Sequence, residues 1–238
     1  MSGRVFALAL LAGLWAAPAG ARAPDDDAAC RRCHAGLEGE FFTLANGDTL
    51  PAWVTPEEHF GSVHGDDIGC RDCHPTVGDH PHAPPAAADA RTYRIQASAG
   101  CTDCHFKHAT ALRDSMHYER LMNGDDAAPT CVDCHGAHGV QPAAVPRQAV
   151  SDRCGACHEE QVRDWRASAH GQAVLAGNED APVCADCHGA HAITDPRAPA
   201  AHAASFTVCA RCHGDARMMT RHGLDPGVVD SYLSDFHG

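Results

Sequence analysis

Seven times the chain writes Cys-x-x-Cys-His, and the seven copies use all 14 of its cysteines. They are Cys30, Cys33 and His34; Cys70, Cys73 and His74; Cys101, Cys104 and His105; Cys131, Cys134 and His135; Cys154, Cys157 and His158; Cys184, Cys187 and His188; and Cys209, Cys212 and His213. Two thiols and an adjacent imidazole at this spacing suit covalent attachment of c-type haem. The thiols add across the two vinyl groups, and the histidine is held where it reaches the iron from one face. A disulfide framework has no reason to place His after every second Cys. Zinc sites use Cys-x-x-Cys pairs but do not require seven identical Cys-Cys-His clusters. The implied load is seven covalent haem c groups, with the seven motif histidines as proximal ligands.

Of 19 histidines, 12 lie outside the motifs, and seven of these recur in two contexts. The first is Ser or Asp, one residue, then His: Ser62-Val63-His64, Ser115-Met116-His117, Ser168-Ala169-His170 and Asp235-Phe236-His237. The second is Cys-His-Gly-Ala-His, which supplies His138 and His191; the first part of the chain offers His82, with His80 as its alternate. His64, His82, His117, His138, His170, His191 and His237 make one distal ligand per iron. His108 lies three beyond His105, but its repeat partner is Gln161, so it ranks as a spare alternate. His59, His202 and His222 read as surface residues, and Met116, Met122, Met218 and Met219 as packing.

The ligands are expected to cross between motifs. If Cys157 to His170 is helical, His158 and His170 lie about 18 Å apart at 1.5 Å per residue, too far to flank one iron. His188 and His191, three apart, would project from one helical face, whereas two axial ligands approach opposite faces. All-histidine ligation places the potentials low for cytochromes c.

The elements that carry these residues repeat. Shifting the chain by 53 positions superimposes Cys101 on Cys154 and His138 on His191, with 16 identities in 40 over residues 101–140. The unit is a two-motif module. The division is 1–23, a cleavable secretory signal with Arg4, an apolar run from Val5 to Ala17 and small residues to Ala21; 24–90, module one with an insertion; 91–148, module two; 149–203, module three; and 204–238, a truncated module four with one motif. Ala/Pro-rich stretches at Ala83–Asp89, Gln141–Ala149 and Asp195–Ala204 read as linkers or loops. The insertion from Phe41 to Leu50 centres on Asn46-Gly47 and reads as a short β-hairpin with a two-residue turn. Glu159 to Leu175 and its counterpart Phe106 to Met122 each read as one helix. The expected fold is that of a multihaem cytochrome c: short α-helices and irregular loops packed around haems, with one short hairpin in module one.

The formal charge is −13, and only one lysine, Lys107, is present. Nucleic acid is excluded as a partner, because phosphate binding needs a basic face. No stretch after the signal is long enough to span a membrane. Hydrophobic residues make up 44% of the chain, but aromatics only 5%, so the chain alone packs a thin core and buried macrocycles must supply the rest.

On these residues the chain resembles the low-potential multihaem c-type cytochromes of respiring bacteria, with paired Cys-x-x-Cys-His motifs, Ser-x-His-Gly distal histidines and Cys-His-Gly-x-His. It is similar in style to the small multihaem donors of periplasmic nitrite reductase. Tyr118 departs from that pattern, standing where Gly follows His64, His170 and His237, and module one lacks Cys-His-Gly-x-His. The resemblance implies a periplasmic electron-transfer protein between a membrane quinol-linked cytochrome and a terminal reductase or outer-membrane cytochrome. It implies no enzyme activity. Two other readings compete: a reductase of a small N- or S-oxyanion, which needs one open iron, and a subunit of an outer-membrane conduit or extracellular filament.

Overall fold

A computed structural model of the chain describes residues 27–65, 67–78 and 81–235. The signal-like segment 1–23, His80 and His237 lie outside the described residues. Within them the chain is about half helical. Module one contains α1 (Ala28–His34), β1 (Phe41–Thr43), β2 (Thr49–Pro51), α2 (Pro56–Phe60) and α3 (Cys70–Cys73). Then come α4 (Ala90–Cys104), α5 (Phe106–Leu112), α6 (Met116–Met122) and α7 (Cys131–His135). Their repeats are α8 (Gln148–Gly155), α9 (Glu159–Ala167), α10 (Ala169–Leu175) and α11 (Cys184–His188); α12 (Pro199–His213), α13 (Ala216–Arg221) and α14 (Val228–Ser234) follow. No helix among the described residues is long and apolar enough to cross a membrane.

The motifs sit on helices in two ways. The first, third and seventh lie at the end of a helix that begins upstream, on α1, α4 and α12, and the fifth begins at the end of α8. The second, fourth and sixth open a helix at their first cysteine, on α3, α7 and α11. The residues before these cysteines, Gly69, Thr130 and Val183, are extended (ψ −179°, 179° and 174°), which breaks the helix upstream. Each new helix is capped by the aspartate inside its own motif. Asp72, Asp133 and Asp186 accept the backbone N–H of Gly69, Thr130 and Val183 at 2.8, 2.7 and 2.7 Å.

Three sequence expectations need correction. The stretches Phe106 to Met122 and Glu159 to Leu175 are not single helices. Each breaks at its serine, Ser115 or Ser168, which turns extended (ψ 142° and 164°) and caps a second helix, because a serine hydroxyl competes well for the free N–H groups of a helix start. Asp195–Ala204 is not wholly loop: Pro199 begins α12, at the first-turn position where its missing N–H costs nothing. The end of Gln141–Ala149 likewise enters α8. The hairpin pairs Phe41 with Pro51, Phe42 with Leu50 and Thr43 with Thr49, but its turn is longer than two residues. Leu44 N–H bonds Asp48 O at 2.8 Å, leaving Ala45-Asn46-Gly47 as the loop, with Gly47 at φ +92°.

The protein interior is thin. Among the described residues only ten apolar side chains are buried, including Leu44, Leu50, Val162, Val174, Val183 and Met219, and only Ser151 is less than 2% exposed. The one cluster, Val174, Ala181 and Val183 with Val150, Trp165 and Ala173 against it, lies inside module three. Phe106, Met122 and Val145 are more than 60% exposed.

Candidate haem-binding centres

Local chemistry first determines how each histidine is presented. Ser62 and Ser115 accept the backbone N–H of His64 and His117, both at 3.1 Å, and Ser168 accepts Gly171 N–H at 3.2 Å. His117 and His170 thus stand in the first turn of a new helix, α6 and α10. His138 and His191 arrive by another device. Helices α7 and α11 end at His135 and His188, and Gly136 and Gly189 follow at φ +75° and +76°. That left-handed conformation suits glycine, which has no Cβ to clash, and it turns the chain away from the motif. The expectation that His188 and His191 share a helical face is therefore corrected, since no helix connects them.

Six motif histidines each face a histidine from elsewhere in the chain. His34 faces His82 with ring centres 6.0 Å apart, His105 faces His64 at 6.0 Å, and His74 faces His138 at 6.2 Å. His135 faces His191, His158 faces His117, and His213 faces His170, each at 6.1 Å. Two imidazoles bonded at about 2.0 Å to a metal between them have ring centres roughly 6 Å apart. The six separations therefore fit an iron held between two imidazoles. Burial is the largest cause that holds His74, His117, His135, His138 and His191 below the ordinary histidine pKa. The neutral ring is the form that offers a lone pair to a metal.

The pairing follows two rules. A Ser-x-His histidine faces the first motif of the next module: His64 meets His105, His117 meets His158, and His170 meets His213. A Cys-His-Gly-x-His histidine faces the second motif of the preceding module: His138 meets His74, and His191 meets His135. His34, with no module before it in these residues, meets His82 of its own module. Among the described residues no imidazole stands opposite His188.

His108 is 6.1 Å from His105 but only 4.6 Å from His191, so it packs beside the His135 and His191 pair. His202 is exposed, as expected. His222 is not a bare surface residue: its Nε2 is 2.7 Å from Asp180, tying the end of α13 to the loop before Cys184. His59 departs further, because it is half-buried and its Nε2 is cut off from solvent without a partner.

The motifs form one row in chain order. Cys70 lies beside Cys30, Cys101 beside both Cys73 and Cys131, and Cys134 beside Cys154 and Cys157. Cys184 lies against Cys154, and Cys187 beside Cys209. The approach between modules one and two is tight, for a Cβ on Gly100 would meet Cys73 O at 3.1 Å. None of the 14 cysteines is in a disulfide, and among the described residues no three or more His, Cys, Asp or Glu side chains gather around a metal-ion position.

Sequence reasoning missed the residues that lock the two motifs of a module together. Three positions before the first cysteine of modules one, two and three stand Asp27, Ser98 and Ser151. Asp27 accepts Cys70 N–H at 3.0 Å and Ser151 accepts Cys184 N–H at 3.3 Å, whereas the Ser98 hydroxyl is buried near Cys131 without a hydrogen-bond partner. Arg91 and Arg147 add a second tie, to Asp133 at 3.2 Å and Asp186 at 2.7 Å. The signal was in the repeat, where Ser98 and Ser151 coincide. Ser151→Ala leaves the half-buried Cys184 N–H without its acceptor, and is expected to destabilise the protein by about 0.5–1.5 kcal/mol. A lowered guanidinium midpoint measures this; an unchanged midpoint would refute the lock.

A family model described as a doubled CXXCH motif matches residues 123–163 and 174–218. Each match takes the second motif of one 53-residue repeat with the first motif of the next. No curated protein and no solved structure matches the chain.

Proposed function

We propose that this chain, a multihaem c-type cytochrome of the paired CXXCH kind, is a seven-haem periplasmic carrier between a membrane quinol-linked donor and a terminal reductase or outer-membrane acceptor. The observation that carries the reading is the set of six opposed imidazole pairs at 6.0 to 6.2 Å. In this reading the Cys30, Cys70 and Cys101 haems take His34 with His82, His74 with His138, and His105 with His64. The Cys131, Cys154 and Cys209 haems take His135 with His191, His158 with His117, and His213 with His170. Of the seven histidines that the sequence marks as distal ligands, His237 is the one outside the six pairs, and it is assigned with His188 to the Cys184 haem.

An iron held by two imidazoles exchanges single electrons with its ligand set unchanged and offers no position to a substrate, which favours transfer over catalysis. The protein's own part is positioning. The serine caps and glycine turns deliver the imidazoles, and the neighbouring cysteines of successive motifs bring attachment points near one another from Cys30 to Cys209. The charge of −13 supports a docking partner with a basic face.

Intact mass of the exported protein should show seven covalent haems, and electron paramagnetic resonance of the ferric protein should show low-spin iron alone. Fewer haems would end the seven-haem reading. A high-spin signal with native carbon monoxide binding would turn it toward a reductase, and the Cys184 haem would be the first place to look.

A further inference from the structure

The His34 and His82 pair differs from the other five in what surrounds its rings. His34 Nδ1 donates to Ala52 O at 2.6 Å, and His82 Nδ1 donates to Ala83 O at 3.1 Å. A carbonyl only accepts, so both Nδ1 atoms carry the proton, and Nε2 is the nitrogen through which each ring would bind a metal. Among the described residues no other histidine of the six pairs makes a ring hydrogen bond to protein. A ring N–H that donates to a carbonyl makes the opposite nitrogen a more basic ligand, and a more basic ligand stabilises ferric over ferrous iron.

Both carbonyls are held by features that module one alone possesses. Ala52 directly follows β2 and is buried. Its N–H bonds Glu40 O at 2.9 Å, and Trp53 beside it packs edge-on against Phe41 with ring centres 5.1 Å apart. Val54 N–H then returns to His34 O at 3.2 Å. The inserted hairpin is thus a support that aims one carbonyl at one axial histidine. Ala83 precedes Pro84, and a residue before proline is confined to extended conformations, which narrows where its carbonyl points.

We infer that the module-one insertion and the Ala83-Pro84 step make the Cys30 haem the most difficult to reduce in the row, so that the N-terminal end meets the more strongly reducing partner. This rests on reading His34 and His82 as the two ligands of one iron. Trp53 and Pro84 act as positioning residues.

The test is a spectroelectrochemical titration of the full seven-haem protein and its variants. His82→Met converts that iron alone to Met/His ligation, which raises its potential. The lowest-potential step should vanish and one step should appear higher. Pro84→Gly and Trp53→Ala keep both imidazoles and provide the answer should His82→Met fail to assemble: the lowest step should move upward while the others stay. Movement of any other step, or an unmoved lowest step in all three variants, overturns the inference. Failure of the carrier reading is separate, since it registers in the wild type as missing haem mass or high-spin iron.

Discussion

His170→Ala is expected to open one iron in module four while leaving the haems of its own module, three, six-coordinate. The His170 ring is 6.1 Å from His213, and no other histidine ring is opposed to His213 among the described residues. Removing the imidazole therefore leaves the Cys209 haem with one protein ligand. One haem in seven should turn high-spin in the ferric protein, and the reduced protein should bind one carbon monoxide per chain. The same substitution at His117 should do this to the Cys154 haem, through the opposed pair of His117 and His158. His222→Ala is the control: His222 contacts Asp180 and Asn178 and no motif histidine. An all-low-spin spectrum in His170→Ala would mean that the module-to-module ligation rule is wrong.

The haem-free chain is expected not to fold. Ten buried apolar side chains among the described residues, seven of them alanine or valine, are too few to offset the ordering of a chain this long. Most helices are shorter than ten residues, a length at which isolated helices are marginal in water and need tertiary packing. The exposed Phe106, Met122 and Val145 are apolar surface for a porphyrin to cover. Produced where haem is not attached, the chain should lose most of its far-ultraviolet helix signal and should show no cooperative thermal transition. A sharp, reversible melt of the apoprotein would sink this expectation.

Much of the local structure was legible in the residues. Asn46-Gly47 marked the hairpin. What misled was reading each of two proline-free stretches as one helix. Phe106 to Met122 and Glu159 to Leu175 are each divided by a serine, because a side-chain oxygen that captures backbone N–H groups ends one helix and starts another. The spacing of His188 and His191 misled in the same way, since Gly189 at φ +76° removes the helix that the spacing presumed.

The sequence by itself determined the chemistry that acts over a few bonds: which cysteines and histidines form attachment motifs, and which recurring contexts present further imidazoles. Such features are local, and their geometry is contained in five or six residues. Which imidazole meets which was decided only by tertiary structure. The opposed rings stand as far apart in the chain as His74 and His138, and their meeting depends on helix ends, on the Asp27 and Ser151 ties, and on where one module packs against the next. A histidine's spacing specifies its own turn of chain, whereas its partner is specified by the sum of every turn between them.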